Sequence, residues 1–314
     1  MQRFQASWLV ETIMDNITDL SASPSWFFPC VCLFSPMEWL AQRNTRVIMN
    51  VPVHSQAMLF KSWFSKSDMF PQEDILKAFN QILMKNIDIN INPFKGWLDT
   101  YFTKQQLDYL LYWREAANEL NDEALKGTFL AIVSQVINYW LANNRVGLEN
   151  IYKPDEILAF YYKRYRGFRD HLTDFKVTEQ AVEGVKAEEC STVVFNLVFG
   201  DEDYLEDESQ IIYNAWLNGY TDLEESRRNF SDELKRYVIE LNSTKNFDFF
   251  KKMSENAKSA AFCWSGKGIT PNFYQRTLIT PLEHLMADRY QHSKLVYKCI
   301  DTSTDAYDYI LLCY

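Results

Sequence analysis

The fold class expected for this chain follows from the stretch Trp26-Phe-Phe-Pro-Cys-Val-Cys-Leu-Phe-Ser-Pro-Met-Glu-Trp-Leu-Ala-Gln-Arg43 and from the run Thr45-Arg-Val-Ile-Met-Asn50 that comes one residue later. An apolar run stops at Ser35-Pro36, and Trp39, Leu40 and Arg43 then fall at helical spacing. The second run is rich in β-forming residues and ends in a polar side chain, as a parallel strand does at the carboxyl edge of a sheet. The pattern predicts a strand, a turn, a helix and then a second strand parallel to the first.

The predicted turn after the first strand, Phe34-Ser-Pro-Met-Glu38, contains no glycine. In nucleotide-binding units of the Rossmann type this turn is glycine-rich, because only glycine lets the backbone approach the ligand closely. The nine glycines of the chain begin at Gly96, so the first 95 residues have none. We expect the cofactor chemistry of this half of the fold to be lost.

Later segments complete the predicted sheet. Ser191 to Phe199 is β-branched and apolar on both faces, which is typical of a central parallel strand. The segments Leu295 to Ile300 and Tyr307 to Leu312 flank the five-residue loop Asp301 to Asp305 together with Ala306, and they predict a C-terminal antiparallel hairpin. Ser265 to Gly268 is interpreted as a plain turn, since its Gly-Lys-Gly sequence lacks the spacing of a phosphate-binding loop.

The composition is that of a folded, acidic protein. The 314 residues suffice for one large domain or two unequal lobes, and 47% hydrophobic with 16% aromatic residues exclude disorder. A net charge of −10 repels nucleic-acid phosphate unless cations are gathered on one face or a partner supplies them. Acidity that merely keeps the protein soluble is the alternative.

Cysteine and histidine usage gives no sign of a metal site. Six cysteines lie in or beside apolar runs without a Cys-x-x-Cys pair, as expected of buried, reduced thiols. Four histidines show no ligand spacing with one another or with the cysteines. No signal peptide is visible, and the apolar stretch around Phe27 is too short to span a bilayer. We therefore expect a cytoplasmic protein with no metal and no membrane partner.

The order of these elements and several side chains resemble the adenine-N6 DNA methyltransferases of the Dam-like, or D12, class. That family has an N-terminal (Tyr/Phe)-x-Gly-(Ser/Gly)-Lys segment, a first strand ending in Phe-x-Gly-x-Gly and a second strand ending in Asn-Asp. In this chain the glycines and the lysine are replaced, and Val51 stands where the ribose-binding acid would be. The positions that the resemblance assigns to the cofactor are Phe4, Ala6, Trp8, Phe34, Pro36, Glu38 and Asn50.

The catalytic tetrapeptide of the family, (Asp/Asn)-Pro-Pro-Tyr at the end of the fourth strand, is matched by Asn196-Leu197-Val198-Phe199, in which only the asparagine is kept. The two prolines form the rigid turn that aims a backbone carbonyl at the amino group of the flipped adenine. The resemblance thus implies a fold that was kept and a chemistry that was lost. No cofactor is expected, and S-adenosylmethionine is expected only of an active, divergent enzyme.

The resemblance implies an α/β fold, with a Rossmann-like methyltransferase sheet, a C-terminal antiparallel hairpin and an inserted helical lobe. We assign residues 1–70 and 175–314 to the sheet domain and residues 71–174 to the lobe, which stands where the family inserts its DNA-recognition helices. A helix around Ile132, Val136 and Trp140 has an apolar surface wider than one stripe. Such a helix is buried within the lobe or against another chain, and we expect an oligomer contact.

The one concentrated basic segment is Tyr161-Tyr-Lys-Arg-Tyr-Arg-Gly-Phe-Arg169, whose cations are Lys163, Arg164, Arg166 and Arg169. Cations interleaved with aromatic residues suit a nucleic-acid backbone with bases stacked between them. The alternative is an arginine-rich helix end that pairs with carboxylates of the same chain, and the sequence does not separate the two.

Three functions fit these observations. The first is a catalytically inactive DNA adenine methyltransferase-like protein that acts as a structural or DNA-engaging subunit of a larger complex, in restriction-modification or phage defence as the family suggests. The second is an active but divergent methyltransferase, in which Asn50 replaces the ribose carboxylate and Asn196 holds the amino group. The third is a non-enzymatic helical interaction protein, which predicts no seven-stranded sheet. The expected partner is another protein or a second copy, with double-stranded DNA as a candidate ligand.

Overall fold

A computed structural model of the chain describes residues 6–17, 24–30, 40, 45–64, 73–77, 96–98, 100–145, 154–169, 174–197, 208–219, 222–228, 244–267, 274–303 and 306–314. Within these residues, no helix combines the length and the apolar character needed to cross a membrane.

Seven described strands form one mixed sheet. They are β1 (Ser25–Phe28), β2 (Arg46–Asn50), β3 (Phe175–Thr178), β4 (Cys190–Asn196), β5 (Ala257–Lys267), β6 (Ser293–Asp301) and β7 (Ala306–Cys313). Their order is β3-β2-β1-β4-β5-β7-β6, with parallel neighbours from β3 to β5 and β7 antiparallel to both β5 and β6. The predicted parallel sheet with a C-terminal antiparallel hairpin is confirmed, and the arrangement is compatible with a Rossmann-like α/β fold.

The described helices precede the sheet strands or lie between them in sequence. They are α1 (Ala6–Asn16), α2 (His54–Phe64), α3 (Lys104–Glu119), α4 (Glu123–Arg145), α5 (Pro154–Arg169), α6 (Glu208–Asn218), α7 (Thr244–Met253) and α8 (Thr280–Met286). A 3₁₀ turn, Val182–Gly184, follows β3, and a π-helical turn, Gln275–Ile279, leads into α8.

The central strands are buried on both faces, as their sequences predict. Residues 26–28 of β1 and 193–195 of β4 are at most 2% exposed. At their amino ends, hydroxyl groups join three strands, since the Ser191 N–H donates to Ser25 Oγ at 3.0 Å and Ser259 Oγ donates to the Ser191 carbonyl at 3.0 Å. The buried hydroxyls are therefore satisfied within the sheet.

Two strand ends differ from the prediction. β1 stops at Phe28, before bends at Pro29 and Cys30, so it ends six residues before the expected end at Phe34. Proline cannot donate to the ladder, which explains the early end. β5 continues to Lys267, so the predicted turn at Ser265 is wrong: residues 265–267 pair with β7.

The chain divides into two compact units, of which the first contains Met1–Ala57, Leu172–Glu206 and Leu234–Tyr314. This unit holds the whole sheet. Its core is aromatic around β4 and β5, where Phe195 and Phe262 stack with ring centroids 4.8 Å apart and Phe250 lies edge-on to both. These rings fix α7, which carries Phe250, in this unit's hydrophobic core.

The second unit contains Met58–His171 and Asp207–Glu233, and its described elements are helical. Trp113 of α3 and Trp140 of α4 stack with centroids 5.6 Å apart. Ile132, Val136 and Trp140 are at most 1% exposed, because α4 packs against α3, α5 and α6 of the same chain. The expected oligomer contact on this helix is therefore wrong: its wide apolar surface is covered inside the unit.

Candidate functional site

Open α/β sheets bind ligands beyond the carboxyl ends of their strands, where the strand order reverses direction. In this sheet the order runs from β1 outward to β2 and β3, and the chain then returns to β4 on the other side of β1. The reversal lies between β1 and β4. The relevant residues are therefore those at the carboxyl ends of β1 to β4.

β1 ends at Phe28, six residues before Phe34, the position at which the resemblance places the end of the first strand. Cys30 is buried. In the N-terminal segment, Ala6 begins α1 and Trp8 is half-buried in its first turn. The assigned positions Phe4, Phe34, Pro36 and Glu38 lie outside the described residues.

Asn50, the last residue of β2, is completely buried, and its side chain is used by the protein itself. Its Oδ1 accepts hydrogen bonds from the Gln180 backbone N–H at 2.9 Å and from the Thr178 hydroxyl at 3.2 Å. Its Nδ2 donates to the Gln180 carbonyl at 3.0 Å. The amide therefore ties the end of β2 to the end of β3, and both of its polar atoms are engaged.

Val51 holds the position that the resemblance assigns to the ribose-binding acid, and it is fully buried. Its N–H donates to the Thr178 carbonyl at 2.9 Å, and Val53 is buried two residues later. This end of β2 thus presents an apolar side chain in place of an acceptor. The geometry gives no support to Asn50 as a substitute for the ribose acid.

At the end of β4 the backbone makes a bond that a proline motif cannot make. Asn196 pairs with Cys263 of β5, and the Leu197 N–H donates to the Cys263 carbonyl at 2.7 Å. Proline has no N–H, so a proline at position 197 is excluded from this bond. Leu197 itself is buried. The Asn196 side chain and residues Val198 and Phe199 lie outside the described part of the chain.

A histidine–carboxylate pair at the same edge was not predicted from the sequence. His54 begins α2, Glu179 follows β3, and their Nδ1 and Oε1 atoms are 2.7 Å apart. The His54 side chain is 62% exposed. When Nδ1 carries the proton it donates to the Glu179 carboxylate, so the pair joins the start of α2 to the residue that follows β3. Glu179 was missed because β3 is only four residues long, too short for a periodic signal.

The cations of α5 are exposed. Within the described residues, Lys163, Arg164 and Arg166 form no ion pair with a carboxylate, so the alternative of internal pairing gains no support. Arg164 lies near Tyr161, whose pKa is raised by burial and lowered in part by this guanidinium. Arg169 ends α5, and its side chain lies outside the described set.

The buried thiols of the sheet are unreactive at neutral pH. Burial raises the pKa of the Cys190 and Cys313 thiols to about 12. Burial also raises the pKa of Cys263, and the nearby Asp308 adds to the effect. Thiols with such pKa values stay protonated. Among the residues that the structure describes, no group of three or more His, Cys, Asp or Glu side chains is arranged to hold a metal ion.

No protein-family model matches the chain, and a comparison with curated proteins finds no match. The functional argument therefore depends on the sheet, on the residues at its carboxyl edge and on the exposed face of α5.

Proposed function

We propose that the chain is a catalytically inactive relative of the Dam-like adenine methyltransferases, acting as a structural or DNA-engaging subunit of a larger complex. Restriction-modification or phage defence is the setting that the resemblance suggests.

Two features of the fold support this proposal. An antiparallel C-terminal hairpin on an otherwise parallel sheet is typical of the methyltransferase fold, and β7 provides it by lying between β5 and β6. The helices α3, α4 and α5 come between β2 and β3 in sequence, within the interval from the second to the fourth strand in which the family inserts its DNA-recognition lobe. We propose residues 71–174 as this lobe; most of them belong to the compact helical unit of Met58–His171 and Asp207–Glu233.

The observation that carries the loss of catalysis is the closed end of β2. The Asn50 side-chain amide is hydrogen-bonded to Thr178 and Gln180, and the next residue, Val51, has an apolar side chain with no exposed surface. A methyltransferase binds its cofactor's ribose at this strand end. The proposal is supported by this strand end, where the described residues offer no free side-chain acceptor for the ribose of S-adenosylmethionine.

The competing functions are less well supported. An active, divergent enzyme needs the Asn50 side chain for the ribose, and that side chain is engaged by β3 and the residues behind it. A helical interaction protein predicts no seven-stranded sheet, which is the opposite of what is observed.

Calorimetric titration with S-adenosylmethionine tests the loss of cofactor binding. The proposal predicts no binding heat, and an active Dam-like enzyme titrated in parallel is the positive control. Binding with a micromolar Kd would overturn the proposal in favour of an active enzyme. Transfer of labelled methyl groups to unmethylated duplex DNA is a second readout, for which no incorporation is expected.

The DNA-engaging role is tested on Arg164 and Arg166. Replacing both by alanine is expected to reduce the slope of log K against log salt for duplex binding by about two units, since each phosphate contact contributes about one. Replacing Lys251 and Lys252 of α7 by alanine removes the same charge elsewhere and should leave the slope unchanged. A lower Tm with unchanged DNA binding in the arginine variant would move DNA binding to the partner and leave this chain as a scaffold.

A further inference from the structure

One face of α5 carries a set of residues that are exposed to solvent. Phe160, Lys163, Arg164 and Gly167 stand at positions i, i+3, i+4 and i+7 of the helix, so they share one face, which we call the α5 stripe. All four are exposed. The opposite face, with Leu158, Tyr161, Tyr162 and Tyr165, is buried, and so is Ile157, which lies beside the stripe one turn before Phe160.

Phe160 is the unusual member of the stripe. Its side chain is 61% exposed, and Tyr297 of β6 is the other large hydrophobic residue exposed to this degree among the described residues. The Phe160 ring lies edge-on to the Tyr161 ring, with centroids 5.2 Å apart, so one of its own faces remains available. An exposed aromatic ring one turn before two cations and one turn after the Glu156 carboxylate offers a stacking surface for a planar group.

Gly167 is not required by the packing of the chain. A Cβ atom added at this position would meet no atom within 4 Å, and the residue lies in the last turn of α5, where glycine lowers helix stability relative to alanine. The missing side chain leaves room on this exposed face, beside Lys163 and Arg164, for another molecule's backbone.

The charge of the stripe points to an anionic ligand. Lys163 and Arg164 form no ion pair within the described residues, although the chain as a whole has a net charge of −10. From Phe160 to Gly167 the helix rises by about 10 Å, which corresponds to roughly three nucleotides of a stacked strand.

We propose that the α5 stripe binds a nucleic-acid strand with at least one unstacked base, with phosphates at Lys163 and Arg164, the base against Phe160 and the strand backbone next to Gly167. This inference rests on the DNA-engaging part of the proposed function and narrows its ligand to a single-stranded or locally opened segment. In an intact duplex the bases are already stacked on one another and have no face for Phe160.

Fluorescence anisotropy tests the proposal with three labelled probes. They are a DNA strand of mixed sequence and about 12 nucleotides, which is about one turn of duplex, the corresponding duplex, and a glutamate-rich peptide of equal charge. The wild type is expected to bind the single strand about ten-fold more tightly than the duplex. Phe160→Ala should lose about ten-fold in single-strand affinity and little in duplex affinity. The control Tyr297→Ala removes the other exposed ring and should change neither.

Gly167→Ala gives a result that a purely structural role cannot produce. The added methyl group has open space, so the variant should raise the Tm by about 1–2 °C while weakening single-strand binding several-fold. Unchanged single-strand affinity in Phe160→Ala or Gly167→Ala overturns the inference, and duplex binding that persists then leaves the proposed function standing. Equal binding of the glutamate-rich peptide overturns it in favour of an acidic protein partner. Binding of S-adenosylmethionine in the calorimeter would contradict the proposed function without bearing on the stripe.

Discussion

Replacing Asn50 by aspartate distinguishes a structural role of this residue from a role as a cofactor ligand. In the structure, Asn50 Nδ2 donates to the Gln180 carbonyl at 3.0 Å, and the substitution sets a carboxylate oxygen against that carbonyl oxygen. The structural role therefore predicts a less stable protein. The active-enzyme hypothesis predicts instead a gain of cofactor binding, since an acid at this strand end supplies the acceptor that a ribose needs.

The surroundings of Asn50 set the size of the effect. The two hydrogen bonds that its Oδ1 accepts, from the Gln180 N–H and the Thr178 hydroxyl, are kept by aspartate. One hydrogen bond is lost and one carbonyl is left opposite a negative charge, which costs about 1–3 kcal/mol. Desolvation of the charge at a position with 0% exposure adds to this. We expect a total loss of about 2–4 kcal/mol in the free energy of unfolding at neutral pH.

The loss should depend on pH with a definite sign. Burial raises the pKa of the introduced carboxyl above its unfolded value of about 3.9. Below that value the acid is protonated in both states and donates again to the Gln180 carbonyl. As the pH rises through the folded pKa, the unfolded state gives up its proton more readily and stability is lost. The difference from the wild type should therefore be small in acid and full at neutral pH.

Urea unfolding at about pH 3.5 and about pH 7.5 measures this difference. Asn50→Ala, which loses all three hydrogen bonds without adding charge, should cost about 2–3 kcal/mol at both pH values. Thr178→Val is the control for one of the bonds and should cost less, because only one of the three bonds to Asn50 is removed. Equal stability of Asn50→Asp and wild type at both pH values, or a gain of S-adenosylmethionine binding, would refute the reasoning.

Three further predictions concern packing and thiols. Gly266→Ala should cost about 1–3 kcal/mol, because the added methyl group would lie 2.5 Å from the Tyr274 hydroxyl, whereas Gly184→Ala has open space and is the control; equal urea midpoints would contradict this account. Stability should fall as the pH rises above about 9, because burial raises the pKa of the Cys263 thiol and the unfolded chain loses that proton first; Cys263→Ala should make the fall measured by urea unfolding between about pH 8 and 10 shallower. Cys299 is exposed, so Cys299→Ser should remove one thiol that reacts rapidly with Ellman's reagent, and an unchanged count would argue against its exposure.

The strongly patterned segments of the sheet were predictable from the sequence. β2 and β4 are apolar runs bounded by polar residues, and the C-terminal hairpin is two apolar runs around a short polar loop. The end of β1 was harder to predict, because the apolar run continues past Phe28 and only Pro29 marks the stop. β3 is four residues long and gave no periodic signal, which also hid the Glu179 carboxylate.

The arrangement at the carboxyl edge depends on contacts that the sequence does not contain. Asn50 and Gln180 are 130 positions apart, so no local pattern identifies the amide as a clamp. The same limit applies to the prediction made for the apolar helix α4. A wide apolar surface predicts burial, but whether the chain's own helices or another subunit cover it depends on tertiary packing, and in this structure α3, α5 and α6 cover it.

Under the proposed function, substitutions that introduce the methyltransferase residues at the ends of β2 and β4 should destabilise the fold. Val51→Asp would put a carboxylate at a position with 0% exposure, where burial disfavours its charge. Leu197→Pro would remove the donor of the 2.7 Å hydrogen bond to Cys263 and leave that carbonyl without its partner from β4. Neither change supplies the other half of a site. Under that proposal we expect each single substitution to lower the free energy of unfolding in urea and to produce no S-adenosylmethionine binding in the calorimeter, because the groups at these two strand ends hold neighbouring strands together.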